Sequence, residues 1–205
     1  MNALEYRKYQ IKNLRHNWDN EEKAIKDYTE RIERPNILLS EILRYLDSQI
    51  GLGLLYYPGC GFDIVPRDTL GYERVVHVSL QPEHYFRLLG EGKNIAANYI
   101  QSPFHDNSFG SCLIWNASDS MLLALDENSR VTKQNGLIVL GDASFKKSCN
   151  FVRISNKMDS NYERLTLQDK FSDFRVYRNI WTDTKGCIYS VDNLTYYKTV
   201  KKLDE

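Results

Sequence analysis

The hydrophobic positions in residues 1–33 predict an amphipathic helical segment. Apolar or aromatic side chains recur at spacings of three, four and seven residues, at Leu4, Ile11, Leu14, Trp18, Ile25, Tyr28 and Ile32. Such spacings place them on one face of a helix. Five of them recur every seven residues, as in a coiled-coil seam: Leu4, Ile11, Trp18, Ile25 and Ile32. A coiled coil also needs apolar residues at a second position of each repeat, and there Arg7 and Glu21 interrupt the pattern. We therefore expect this segment to pack on its own domain; the alternative is a homodimer contact through the N-terminal helix.

A second amphipathic helix is predicted over residues 36–48, after the break that Pro35 introduces. Beyond it, the pattern changes to alternating strands and helices. The sequence therefore predicts two parts. Residues 1–48 form an N-terminal helical extension or cap, and residues 49–205 form an α/β domain.

Five β-prone runs indicate the sheet of this domain, and they occupy residues 52–57, 74–79, 94–99, 108–116 and 137–140. Helices are predicted between them over residues 82–90 and 118–130. The fourth run is almost continuously apolar around Cys112, as expected for a strand that is covered on both faces. Alternating strands and helices indicate right-handed crossovers. We therefore predict a three-layer α/β fold with a mostly parallel sheet.

The last third of the chain has a different pattern. Residues 145–156 are ambiguous, and residues 162–170 fit a short helix. Residues 174–180 and 187–198 are strand-like and flank a polar connection at residues 181–186. This arrangement predicts a C-terminal antiparallel hairpin.

Charge and composition narrow the classes of partner. The 27 basic and 27 acidic side chains cancel, and no basic tract is interleaved with aromatic residues, so we expect no nucleic-acid partner. No apolar run approaches the ~18 residues that span a bilayer, and the charged N-terminus lacks the apolar core of a signal peptide. The 4 cysteines are scattered without a Cys-x-x-Cys pair. We expect no metal site and no membrane partner, and reduced thiols in a cytoplasmic protein.

A glycine-rich turn is the strongest candidate for a ligand site. The apolar run that begins at Leu54 leads into Tyr57-Pro58-Gly59-Cys60-Gly61. Glycines at the end of a first parallel strand let the backbone approach a nucleotide-like ligand, because a Cβ would block the ligand or forbid a positive φ. An ordinary tight turn is the alternative for the same two glycines.

Four segments, in order over roughly residues 50–142, resemble the class I S-adenosylmethionine-dependent methyltransferase family. Tyr57-Pro58-Gly59-Cys60-Gly61 is similar to its glycine-rich first loop, and Val78-Ser79-Leu80-Gln81-Pro82-Glu83 to the end of its second strand. Residues 102–109 and 125–136 are similar to the segments that precede its fourth and fifth strands. The resemblance implies a Rossmann-like methyltransferase fold, S-adenosylmethionine as the cofactor, and an acceptor that is a small molecule or a protein.

The resemblance also implies cofactor contacts at Tyr57, Gly59, Cys60, Gly61, Asp63, Ser79, Gln81, Asn98 and Tyr99. Four of the matched positions depart from the family's pattern. Ser79 and Asn98 stand where acidic residues usually contact the ribose and the adenine, and Gly110 stands where an acid often follows the phenylalanine. Asp63 stands where a third glycine is common. Ser79 and Gly110, together with the apolar stripe on the N-terminal helix, favour the alternative of a catalytically inactive, methyltransferase-like binding or assembly module. Ser79 and Asn98 are also common residue types in strand-end turns.

Three residues are candidates for catalysis. Asn116 and Asp119 follow the fourth predicted strand, on the substrate side of such a fold, where Asn116 could orient an acceptor and Asp119 could accept a proton. Asp119 could equally cap the next helix. His105 lies in a loop that we expect near the same cleft and could act as a base near neutral pH; a solvated loop histidine is the alternative.

Overall fold

The computed structural model describes residues 32–61, 63–79, 92–116, 119–142 and 149–180, together with Lys26 and two short strands near the C-terminus. Most of the N-terminal segment and the whole of the helix predicted over residues 82–90 lie outside the described residues. The expected domain boundary after residue 48 therefore stays a prediction.

In the described part of the chain, seven strands form one mixed sheet in the order β3-β2-β1-β4-β5-β7-β6. The strands are β1 (Leu55–Pro58), β2 (Val75–Ser79), β3 (Lys93–Ala96), β4 (Phe109–Trp115), β5 (Thr132–Gly141), β6 (Glu163–Leu165) and β7 (Arg175–Arg178). All neighbouring strands among the first five, β1 to β5, are parallel to each other, and β7 runs antiparallel to both β5 and β6. The mostly parallel sheet is thus confirmed, and its antiparallel part towards the C-terminus is formed by β5, β7 and β6.

Helices cover both faces of the sheet. Successive residues of the central strands point to opposite faces, and both sets are apolar, so each face must be buried. The helices are α1 (Arg34–Gln49), α2 (Val65–Leu70), α3 (Asp119–Leu123), α4 (Leu125–Val131) and α5 (Cys149–Asp159). Helices α1 and α2 pack on the face that carries Tyr57 and Leu113. Helices α3, α4 and α5 pack on the face that carries Tyr56 and Cys112. The expected three-layer α/β architecture is confirmed.

Helix α1 is fixed to the sheet at both its apolar face and its C-terminal end. Leu39, Ile42 and Leu43 on this helix are fully buried. At the end of α1, the guanidinium of Arg74, just before β2, donates to both oxygens of Asp47, at 2.7 and 2.5 Å. The hydrogen bond from Arg74 lowers the pKa of the Asp47 carboxyl below its usual value. The predicted helix over residues 36–48 is therefore part of the main core.

The region that follows β5 differs from prediction in three ways. Residues 162–170, predicted as a helix, form β6 and a 3-10 helix at Asp169–Phe171. The ambiguous segment 145–156 contributes to α5. The predicted pairing of residues 174–180 with 187–198 is wrong, because β7 pairs with β5 and β6, whereas β8 (Ile188–Val191) pairs with β9 (Leu194–Tyr197). The cause lies in β7, whose Val176 and Tyr177 are buried on opposite faces, as in an interior strand.

None of the helices in the described residues is both long enough and apolar enough to cross a membrane.

Candidate functional site

The sheet changes winding direction between β1 and β4, which are hydrogen-bonded neighbours. From β1 the chain continues outwards to β2 and β3, whereas from β4 it continues to β5 on the other side. In open α/β sheets this reversal leaves a crevice at the carboxyl ends of the two central strands, and ligands bind there. Gly59 follows β1 and Asn116 follows β4, both with left-handed backbone at φ 62° and 55°. The structure thus brings the predicted glycine turn and Asn116 to one crevice.

The two glycines of the turn lie in different surroundings. The Gly59 amide donates to the carbonyl of Val78 at 2.8 Å, which ties the turn to β2. A Cβ on Gly59 would lie 2.3 Å from the Met121 methyl group, so this glycine permits close packing. Gly61 has φ 54°, and a Cβ there would meet no described atom within 4 Å. Gly61 is therefore the point at which a ligand can approach the backbone.

Cys60, between the two glycines, is buried. Its thiol contacts the Gly61 carbonyl at 3.6 Å. Burial raises the pKa of the thiol to about 12, so the sulfur stays protonated and unreactive at neutral pH. Its contribution to a ligand site would come from its backbone.

Asp63 orders the segment that leaves the glycine turn. Its Oδ2 accepts a hydrogen bond from the Tyr57 hydroxyl at 2.8 Å, and its Oδ1 accepts one from the Val65 amide at 2.9 Å. Burial raises the pKa of the carboxyl to about 6. Both predicted contact residues, Tyr57 and Asp63, are therefore joined to each other. Their observed role is to hold the turn between β1 and α2.

Tyr99 and α3 form a wall beside Gly59. The Tyr99 hydroxyl and the Ser120 hydroxyl share a hydrogen bond of 2.7 Å. The Tyr99 ring also lies 3.7 Å from the position of a Gly59 Cβ. Met121 completes this wall and is buried. Sequence reasoning identified Tyr99 but missed Ser120 and Met121, for which the only available signal was their position just after β4.

The neutral residues at the ends of β2 and β3 are placed differently from each other. Ser79 is 5% exposed at the end of β2, and its carbonyl accepts the Ala97 amide at 3.1 Å. Asn98 is exposed, and its Oδ1 accepts the Ile100 amide at 3.0 Å, which is an Asx turn. The turn therefore uses the acceptor of Asn98 that was expected to contact adenine. Gln81 lies outside the described residues.

The two remaining catalytic candidates, Asp119 and His105, lie at opposite edges of the sheet. Asp119 begins α3, shortly after Asn116. His105 is exposed and lies in the loop that enters β4, where its carbonyl accepts the Ser108 hydroxyl at 2.6 Å. This loop lies at the amino end of β4, whereas Asn116 follows its carboxyl end. The length of β4 therefore puts about 20 Å between the loop and Asn116. The expectation that His105 lies near the cleft is therefore corrected, because the β3–β4 connection must return to the opposite edge before β4 begins.

Gly110 also lies at that amino edge, and packing explains it. A Cβ on Gly110 would stand 2.5 Å from the Leu52 carbonyl oxygen and 3.1 Å from the Gly53 Cα. A side chain is excluded by the neighbouring backbone, whichever ligand binds at the other edge. Gly110 therefore no longer favours an inactive module.

His77 is a buried titratable residue beneath the glycine turn. It is 0% exposed, and its ring centroid lies 5.7 Å from that of Tyr57. Neither ring nitrogen has a hydrogen-bond partner among the described residues. Burial and the nearby Arg67 charge lower the pKa of His77 to about 4. The imidazole is therefore neutral at physiological pH and supports the core.

Comparisons with known proteins identify the fold. No protein-family model matches the chain, and no curated protein matches it. The N-methyltransferase NodS from Bradyrhizobium japonicum WM9 has a similar structure, with a TM-score of 0.51, 14% identity, and coverage of 72% of this chain and 94% of that chain. A putative S-adenosyl-L-methionine-dependent methyltransferase from Methanococcus maripaludis is similar with a TM-score of 0.56, 12% identity, and coverage of 78% and 94%. The Rossmann-like methyltransferase fold is thereby confirmed.

Proposed function

We propose that the protein is an S-adenosylmethionine-dependent methyltransferase whose acceptor is a small molecule or a protein. The observation that carries the proposal is the glycine turn at the switch point, where Gly61 presents accessible backbone at the same edge of the sheet as Asn116. The similar fold of the Methanococcus maripaludis protein, described as S-adenosyl-L-methionine-dependent, supports the same cofactor.

The residues at the crevice fit the parts of this cofactor. Gly59 and Gly61 would lie along it by backbone, and the hydroxyl of Ser79, at the end of β2, would contact the ribose. When bound, S-adenosylmethionine supplies an electrophilic methyl group on a sulfonium. Asn116, exposed at the end of β4, would position the acceptor's nucleophile. Positioning supplies much of the acceleration in such a reaction, so no side-chain base is required for an acceptor that is already nucleophilic.

Affinity for the cofactor is expected to be modest. Ser79 makes fewer and weaker hydrogen bonds than the carboxylate that the family usually has at this position. The loss of a charged hydrogen bond costs about 1.5–3 kcal/mol, or roughly ten- to a hundredfold in affinity. We therefore expect dissociation constants in the micromolar range, up to roughly 100 μM.

Calorimetry with S-adenosylmethionine and S-adenosylhomocysteine tests the cofactor without knowledge of the acceptor. Gly61→Asn adds a side chain at the accessible point of the turn, and asparagine tolerates a positive φ better than other side chains. Gly51→Asn is the matched control, because Gly51 has φ 80° and open space around its Cβ but follows α1. Gly61→Asn should weaken binding at least about tenfold, whereas Gly51→Asn should bind like the parent.

No heat of binding at millimolar ligand, with a folded parent protein, would contradict the proposal. That result would instead support a methyltransferase-like module without catalysis. Equal weakening by Gly61→Asn and Gly51→Asn would show that the glycine turn is not the binding point.

A further inference from the structure

A second cleft lies at the same edge of the sheet, under the connection from β6 to β7. Its volume is about 460 Å³, which falls within the range of small-molecule sites. Arg175 pairs with Leu140 at the end of β5, so the cleft opens at the carboxyl edge of the parallel strands. It is lined by Arg164, Leu165, Thr166, Leu167, Gln168, Asp169, Phe171, Ser172, Phe174 and Arg175.

Arg175 is held in place on one side only. Its Nη1 donates to the carbonyls of Ser172 and Phe174, at 2.7 and 2.9 Å. Its Nε and Nη2 have no hydrogen-bond partner among the described residues. These two nitrogens form the side of a guanidinium that can donate two parallel hydrogen bonds to a carboxylate. Because the backbone carbonyls already fix the group, binding would immobilise little additional side-chain freedom.

The rest of the described lining suits a ligand with one anionic end and an apolar body. Arg164 lies on β6 opposite Tyr177, which puts it on the same face as Arg175 and diagonal to it. Its only ion pair among the described residues is a long one, 3.8 Å to Asp159. Against these two cations the lining has one acid, Asp169. Apolar lining comes from Leu165, Leu167, Phe171 and Phe174.

We propose that this cleft binds the carboxylate of a small organic molecule, with Arg175 as its bidentate partner. The apolar part of the molecule would contact Leu165 and Leu167, which are only partly buried. A neutral amide of the same shape has one acceptor oxygen instead of two and no charge, so it would pair with only one of the fixed Nε and Nη2 donors of Arg175.

The cleft is also placed to hold one end of a methyl acceptor, an extension that rests on the proposed function. Phe174 stacks on Trp115, with ring centroids 5.7 Å apart and planes inclined by 14°. Trp115 directly precedes Asn116 in the crevice. Only β5 separates β4 from β7, so their backbones lie about 10 Å apart. An acceptor of that length would place its carboxylate on Arg175 and its nucleophile beside Asn116.

Titration with benzoate and with benzamide, its neutral counterpart, tests the cleft on the full chain without the methyl donor. The readout is the Nε–H resonance of Arg175 in nitrogen-15-labelled protein. Millimolar benzoate should shift this resonance in a saturable way, and benzamide at the same concentration should shift it far less. Arg175→Lys keeps the positive charge but cannot donate two parallel hydrogen bonds to a carboxylate. It should weaken benzoate binding about fivefold or more. The affinity is measured from the protection that benzoate gives the protein against thermal unfolding.

Two further variants keep the result decisive if Arg175→Lys loosens the loop. Ser172→Asp adds a carboxylate to the cleft and leaves Arg175 in place, so it should also reduce benzoate binding. Arg178→Gln is the control, since Arg178 lies on the same strand at the opposite edge and pairs with Glu163 at 3.0 Å. Equal effects of benzoate and benzamide, or unchanged benzoate binding in both cleft variants, would overturn the proposal. A failure to bind S-adenosylmethionine would leave it standing.

Discussion

The Tyr57 hydroxyl donates a 2.8 Å hydrogen bond to Oδ2 of Asp63, and so the last residues of β1 are tied to the start of α2 across the glycine turn. The bond spans the segment that a cofactor would contact. Residues that appeared to be separate ligand contacts in the sequence therefore act together as the support of that segment.

Tyr57→Phe should destabilise the protein. It removes the hydroxyl and leaves the Asp63 Oδ2 without its donor, at a cost of about 1–2 kcal/mol in the free energy of unfolding. Urea denaturation at pH 7 measures the change. Tyr72→Phe serves as the control, because Tyr72 is half-exposed and should change stability by less than about 0.5 kcal/mol. If the two variants lost the same free energy of unfolding, the Tyr57–Asp63 hydrogen bond would not stabilise the protein.

His77 and Asp63 should give opposite pH dependences of stability. The pKa of His77 falls from 6.5 to about 4 on folding, so its contribution is present above pH 6.5 and is lost as the pH falls through 4. The pKa of Asp63 rises from 3.8 to about 6, so its contribution is present below pH 3.8 and is lost as the pH rises through 6. Between pH 4 and 6 the two contributions oppose each other.

Variants of these residues separate the two contributions. Relative to the parent, His77→Leu should gain stability as the pH falls from 6.5 to 4, because an imidazole that resists protonation has been removed. Asp63→Asn should gain stability relative to the parent as the pH rises from 4 to 6. Each change should be on the order of 1–2 kcal/mol across its window in urea titrations at several pH values. Parallel stability profiles for both variants and the parent would contradict this assignment.

Ser79→Asp should strengthen cofactor binding and weaken the free protein. A carboxylate at the end of β2 could accept hydrogen bonds from ribose hydroxyls, and the gain should be on the order of tenfold in affinity for S-adenosylhomocysteine. Ser79 is buried, so the new charge should lower the melting temperature without ligand. Ser79→Asn introduces a side chain of the same size as aspartate but without its charge. It should change both the affinity and the melting temperature much less than Ser79→Asp. An unchanged affinity in Ser79→Asp would mean that this position does not face the ribose.

Gly110→Ala should reduce stability and leave ligand affinity unchanged. The added methyl group would stand 2.5 Å from the Leu52 carbonyl oxygen, and backbone must move to admit it. Such overpacking costs about 1–3 kcal/mol, which thermal or urea unfolding can measure. Calorimetry with S-adenosylhomocysteine on the folded variant should match the parent. A selective loss of ligand binding would instead link Gly110 to the cofactor site.

The central strands were predictable because burial on both faces leaves a strong local pattern. The predicted strand over residues 74–79 corresponds to β2, and the one over residues 108–116 corresponds to β4. By contrast, β6 has only three residues and two of them are exposed, so its identity depends on pairing with β7, which begins ten residues later. Short exposed strands carry little hydrophobic periodicity for a sequence pattern to detect.

The candidate site was predictable only where it follows directly from the ends of strands. Gly59 and Asn116 were placed correctly because the carboxyl ends of parallel strands share one edge. His105 was misplaced because sequence spacing does not reveal at which edge a returning loop has arrived. The reason why position 110 requires glycine could not be read from the sequence either. The backbone that excludes a side chain there is more than fifty residues away along the chain.

The insertion of β7 between β5 and β6 has a consequence for protein synthesis. Leu137, Ile138, Val139 and Leu140 of β5 hydrogen-bond to a strand that emerges from the ribosome almost forty residues later. Until residue 178 has been made, a nascent chain presents this apolar strand with one edge unpaired, and such edges readily pair with other chains. Translation that stops before β7 should therefore yield an aggregation-prone fragment, and the cell's chaperones would meet this protein chiefly in that interval.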